Sequence, residues 1–156
     1  MRLRFAGPAL VEPMTRALAA IAIETVTHPD FTICCWDSAS TATPMPSPYW
    51  PMSAYGPKGH IIGFNTPTLH TLYNHVIGTL HLYDRSSSSG QYWVANAERI
   101  PPHHRSEPLR EFIHWWSHSR PLQLMHAGAV GFAEGGVILA GKSGSGKSTT
   151  ALACLA

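Results

Sequence analysis

Charged residues are scarce. Asp, Glu, Lys and Arg make up only 13% of the 156 residues, about half the roughly 25% usual in soluble domains. The balance is 11 basic against 9 acidic side chains, a net +2 with histidine neutral, and no lysine or arginine cluster stands out. A dedicated nucleic-acid binder needs a visible basic footprint, so this composition argues against one. An acidic-surface binder is equally unsupported. Cysteine is also sparse. Cys34, Cys35 and Cys154 cannot build a paired disulfide framework, and the expectation is reduced, buried thiols in a cytoplasmic protein. No apolar run approaches the ~20 residues needed to span a bilayer, so no membrane association is expected. The stretch 17–23 lies behind Glu12, Pro13 and Arg16 and reads as part of a short amphipathic helix over 12–22, not as a leader. Repeats at solenoid periods are absent.

Polarity comes instead from 10 His, 13 Pro and many Ser and Thr, while 44% hydrophobic content is enough for a buried core. The length suits one domain, or one and a fraction. Leu3 and Phe5 mark an edge-like start, and 31–36 reads as a strand. Residues 38–59 carry Pro44, Pro46, Pro48, Pro51 and Pro57 and read as an extended surface connector. A short apolar run over 60–64 reads as β. The alternating stretches 79–83 and 92–95 flank a serine-rich tip over 84–90, the pattern of a hairpin. A helix follows over 106–119, with Ser106 as N-cap, Pro108 in its first turn, and Leu109, Phe112, Ile113 and Trp116 on one face. Its tryptophans read as core and not as a base-stacking platform. His114 and His118 share the i,i+4 spacing of metal ligands. With no further ligands in sight, structural histidines are the plainer reading. His103 and His104 read as a solvated loop pair. The expected division is a mixed α/β N-terminal domain over 1–120, with hairpin and Trp-containing helix, followed by a second unit over 121–156.

That second unit carries the chemistry. A small-residue apolar run over 127–132, a turn at Glu134-Gly135-Gly136 and a short buried strand over 137–140 lead into Gly141-Lys142-Ser143-Gly144-Ser145-Gly146-Lys147-Ser148, after which a helix begins. The pattern G-x-x-x-x-G-K-[ST] between strand and helix is the phosphate loop. Its glycines free the backbone for positive φ and expose N–H groups of Gly141, Ser143, Gly144, Ser145 and Gly146 as an anion nest. The start of the helix adds its positive end. Lys147 supplies charge to the β- and γ-phosphates of a nucleoside triphosphate, Ser148 a hydroxyl for Mg2+, and Thr149 a secondary contact. The expected cofactors are ATP and Mg2+.

An ABC-type ATPase carries a similar loop, but usually only a few tens of residues before it, or a membrane domain further upstream. A small GTPase would have the loop close to its N-terminus. The segment 122–148, with His126 fifteen residues before Gly141, resembles instead the catalytic domain of HPr kinase/phosphorylase and its relatives, including those of peptide-tailoring and lasso-peptide clusters. The specific resemblance covers 122–156, and upstream it is one of texture. It implies the α/β nucleotide-binding core shared by HPr kinase and ATP-dependent phosphoenolpyruvate carboxykinases. It also implies transfer of the ATP γ-phosphate to a serine of a protein or peptide acceptor, and an active-site role for His126 beside a catalytic Asp. A homo-oligomer is compatible with it.

The family's acidic residues follow the loop helix, and no counterpart occurs in 148–156. Asp30, Asp37 and Asp84 lie upstream without motif context. The expectation is therefore an N-terminal part of a larger kinase that is not by itself a complete catalyst. The competing expectation is a non-catalytic nucleotide sensor or partner-docking protein using the same loop.

Overall fold

Period-two alternation builds a mixed sheet in the first part of the chain. The computed structural model describes residues 1–45 and 50–154, which fall into two compact units, Met1–Pro121 and Leu122–Ala156. In the first unit β1 (Arg2–Ala6) is followed by α1 (Val11–Thr15), a 3-10 segment (Arg16–Ile21), β2 (Thr32–Asp37) and α2 (Ser38–Thr41). Then come β3 (Leu69–Asn74), β4 (Thr79–Asp84), β5 (Ser89–Val94), α3 (Pro102–Ser106) and α4 (Arg110–His118). The strand order is β1-β2-β5-β4-β3, parallel between β1, β2 and β5 and antiparallel from β5 through β4 to β3. The fold is thus mixed α/β around a mixed sheet. No helix among the described residues is long and apolar enough to cross a membrane.

Register decides which residues share a face. Ile33 pairs with Gly90, Cys35 with Tyr92, Tyr92 with His81 and His81 with Leu72, so these line one side of the sheet. Ile33, Cys35, Tyr83, Tyr92, Val94, Leu10, Met14, Phe112 and Trp115 form one buried cluster there. Phe112 is fully buried and stands edge-on to Tyr83 and Trp115. At the end of α4 the Arg120 guanidinium lies 4.5 Å from the Trp116 ring centre, a cation–π contact. The β4–β5 turn is held by Asp84, which accepts from Ser86 N, Ser86 Oγ and Ser87 Oγ. These bonds hold its carboxyl below the usual range.

Several expectations are corrected. The helix expected over 106–119 is shorter, Arg110–His118, and a separate helix, α3, ends at Ser106. Ser106 ends α3, its Oγ donating to His103 O, and is not an N-cap. Pro108 disfavours helical backbone at the residue before it, and Glu107 sits at φ −126, ψ 59. α4 restarts only after Leu109, buried at φ 58. His103 and His104 lie on α3, not in a loop. The run 60–64 is no strand: His60 and Ile61 form isolated bridges to Leu72 and Tyr55, and β3 supplies the strand instead. Cys35 is buried, and burial pushes its thiol up to about 12, but Cys34 and Cys154 are exposed. Neighbours on a strand face opposite ways, so Cys34 and Cys35 cannot both be covered by one layer. Of the proline-rich connector, Pro46 and Pro48 lie outside the described residues. Around them are α2 and two short 3-10 turns, Met52–Ala54 and Pro57–Gly59.

Candidate functional site

The second unit is small. β6 (Ala127–Phe132) and β7 (Gly135–Ala140) form a two-stranded antiparallel ribbon, and α5 (Lys147–Ala153) packs on it. Small residues permit the approach: a Cβ added at Gly128 would stand 3.4 Å from Lys147 O and 3.7 Å from the Ala151 Cβ. The strand expected to be buried over 137–140 is exposed, with Val137 at 60% and Ile138 at 61%. One short helix cannot cover both faces of a ribbon, so the apolar pattern of β7 outruns the burial available within the unit.

Between β7 and α5 the chain turns through residues 141–146. Gly144 has φ 78 and Gly146, the helix N-cap, has φ 85, backbone that an L side chain adopts only with strain. Space around each would admit a Cβ, so the requirement is conformational and not steric. Gly141 differs: a Cβ there would meet Ser145 Oγ at 2.7 Å. The Ser145 amide donates to Lys142 O at 3.2 Å and the first helical bond runs from Thr150 N to Gly146 O at 2.8 Å. The amides of Lys147, Ser148 and Thr149 thus precede the first available helical acceptor, and no side chain caps them. Lys147 folds back over the loop, its Nζ donating to Gly141 O at 3.0 Å and Lys142 O at 2.9 Å. Ser143, Ser148 and Thr149 are exposed. The result is a short loop edged by amides, the Lys147 ammonium and hydroxyls, chemistry suited to an oxyanion.

His126 directly precedes Ala127, which pairs with Ala140, the residue before Gly141. The ribbon register therefore sets His126 and the start of the loop at the same end. His126 is exposed and lies just outside the strand. Glu134, the one carboxylate in 122–156, sits in the turn between β6 and β7 at the opposite end, about 20 Å along a six-residue ribbon.

The upstream acids are engaged elsewhere in the first unit. Asp37 is buried and caps α2, Asp84 holds the hairpin turn, and Asp30 lies 3.7 Å from Arg120 in an exposed pair. The rings of His114 and His118 are 5.8 Å apart, and no group of three or more His, Cys, Asp or Glu able to hold a metal occurs among the described residues. Sequence reasoning missed Gly128, whose signal was its place in the small-residue run before the loop. No protein-family model, curated protein or solved structure matches the chain.

Proposed function

We propose that residues 122–156 belong to the nucleotide-binding core of an HPr-kinase-like serine kinase, and that the loop 141–148 holds the phosphates of ATP with Mg2+. The observation that carries the reading is the pose of Lys147, drawn over the Gly141 and Lys142 carbonyls between a strand and a helix, with Gly144 and Gly146 left-handed. The donor set fits the group: loop amides and Lys147 Nζ would hold phosphate oxygens, and the Ser148 hydroxyl would ligate Mg2+. Bound ATP supplies the transferable phosphoryl group. The accompanying fold reading is the core common to HPr kinase and ATP-dependent phosphoenolpyruvate carboxykinases. His126, at the loop end of the ribbon, would position the acceptor hydroxyl or a carboxylate beside it.

Phosphoryl transfer needs a carboxylate near the nucleophile, and Glu134 is at the wrong end of the ribbon. That observation favours a second reading for these residues acting by themselves, a nucleotide sensor or docking module that binds without transfer. Titration of the chain with ATP, with and without Mg2+, tests the shared step. Saturable binding strengthened by Mg2+ is expected. Lys147→Ala should lower affinity by about 10–100-fold, the loss of a charge-assisted contact worth about 1.5–3 kcal/mol, at unchanged melting temperature. Equal binding by both proteins defeats the assignment. Phosphate transfer to a seryl peptide separates the two readings. In a chain that transfers, His126→Asn should cost 10²–10⁴-fold in rate, on the order of general acid–base or positioning effects, with nucleotide affinity intact.

A further inference from the structure

His114 and His118, the histidines with i,i+4 spacing, stand over the last turn of α4, and the fold gives them no packing role. Both are exposed. Among the described residues neither imidazole makes a hydrogen bond or an ion pair, and the ring contact each makes is with the other, at 5.8 Å between centres. A histidine kept for packing is buried, as His81 is among the Tyr92 and Phe112 rings. The opposite face of α4 is held by the core, since Phe112, Trp115 and Ser117 are buried. The exposed pair is therefore carried on a fixed support.

We propose that His114 and His118 chelate one borderline divalent transition ion, of the class of Zn2+, Ni2+ and Cu2+, with water in its remaining positions. Residues four apart on a helix are neighbours on one face. A metal about 2.0–2.1 Å from a ring nitrogen stands about 3.2 Å from that ring's centre, so two imidazoles at a tetrahedral angle have centres about 5.2 Å apart. The observed 5.8 Å is a small side-chain rotation away, which exposed rings are free to make. The charges around the pair suit a cation. His118 ends the helix, where the macrodipole is negative. Arg110, one turn before His114, is held by Glu107 at 2.9 Å and Glu111 at 3.0 Å, two carboxylates to one guanidinium. Arg120 lies over the Trp116 ring and 3.7 Å from Asp30. His70, stacked on the Trp115 and Tyr83 rings, has its pKa lowered, chiefly by burial, and so adds no positive charge at pH 7. Nitrogen ligands select this class of ion over Mg2+ and Ca2+, which take oxygen. His103 and His104 make a poorer pair, although their centres are 4.6 Å apart. They are adjacent on α3 and meet edge to face at 68°, which aims one ring's lone pairs at the other's π surface. No group of three or more His, Cys, Asp or Glu able to hold a metal occurs among the described residues, so the ion has two protein ligands and exchanges readily. Half the binding free energy of a four-ligand zinc site corresponds to a Kd between about 1 and 200 µM. The site rests on none of the phosphate-loop residues.

The test is a titration of the whole 15N-labelled chain with ZnCl2 in a buffer that does not bind metal, followed at the histidine ring nitrogens. The His114 and His118 signals should shift together and saturate within the range above, while Mg2+ at the same concentrations leaves them in place. Ni2+ and Cu2+ should compete with the zinc, Cu2+ at the lower concentration. His114→Ala and His118→Ala should each weaken zinc binding by at least about tenfold, since each removes one of two ligands. Both side chains are exposed, so without metal the melting temperatures should match the wild type. His103→Ala should bind zinc as the wild type does. Three results overturn the proposal: no saturation by ~1 mM zinc, undiminished binding without either ring, or binding that is lost with His103 and kept without His114.

Discussion

An aromatic ring lies where Gly90 would carry a side chain. A Cβ built there would stand 2.7 Å from Phe112 Cε1 and 3.3 Å from Ile33 Cγ1. Gly90 is the β5 residue between Ile33 and Tyr83 in the sheet register. The gap admits the Phe112 ring into the sheet surface, which is how α4 reaches full burial for that ring. A methyl group here has no escape, because ring and strand are both held by the core, and overpacking of this kind costs about 1–3 kcal/mol. Gly90→Ala should therefore lower the melting temperature by several degrees. The double variant Gly90→Ala/Phe112→Leu should recover part of that loss, since Leu is smaller at the point of collision. If Gly90→Ala alone is neutral by denaturant titration, the close approach of α4 to β5 is wrong.

At the scale of elements, α2 is a single turn with too few residues to persist by itself. What fixes it is Asp37 at the end of β2, which is 2% exposed. Its carboxylate accepts from Ser40 N at 3.1 Å and from Ser40 Oγ. The turn then joins β2 to β5, through Ala39 N to Ala95 O at 3.1 Å and Trp93 Nε1 to Ser38 Oγ at 2.8 Å. Asp37→Ala removes the cap and should cost about 1–2 kcal/mol, with faster exchange of the Ser40 amide and the Trp93 indole proton. Asp37→Asn should restore most of it, and unchanged exchange in the alanine variant would place the anchor elsewhere. None of this was legible beforehand, because a capping aspartate in a Ser/Thr run looks like any polar connector. Strands β2, β4 and β5 were legible, since alternation and an Asp-Ser turn are local signals. Strand β3 was hidden because His60–Phe64 is the more apolar neighbour, and pairing with β4 outweighs that difference. The start of α4 was misread because Pro108 suits a first turn as well as it breaks the turn before it. The Thr79–Tyr83 stretch conceals more: its leucines are the ordinary choice for the inner face, yet Thr79, His81 and Tyr83 share the core side. That inversion depends on what covers each face, which no strand states by itself. The left-handed turns at Gly144 and Gly146 were legible because glycine adopts that backbone without strain.

At the scale of the whole molecule, buried neutral histidine makes stability depend on pH. The His81 imidazole lies among the Tyr92 and Phe112 rings. Burial first, and His104 second, lowers its pKa to about 3. In the unfolded chain it titrates near the ordinary value of about 6.5. Between these two values the unfolded state binds a proton that the folded state refuses. Stability is therefore complete above about pH 6.5 and declines as pH falls toward 3, by at most about 1.4 kcal/mol per pH unit for this single proton. His104 and His70 are also lowered, each chiefly by burial, and steepen the decline in the same direction. Asp84 adds its share only at lower pH, since hydrogen bonds from Ser86 and Ser87 hold its carboxyl below the usual carboxylate range when folded. The interval from about pH 4.5 to 6.5 thus isolates the histidines. Urea titrations across it should show unfolding free energy falling with acidity, and His81→Phe, which keeps an aromatic ring beside Tyr92 and Phe112, should flatten the slope by up to one proton. The slope is the readout because it is insensitive to whatever packing energy the new ring gains or loses at neutral pH. A His81→Phe slope equal to the wild-type slope would mean that the proton is taken up elsewhere and that His81 is not held neutral by its burial.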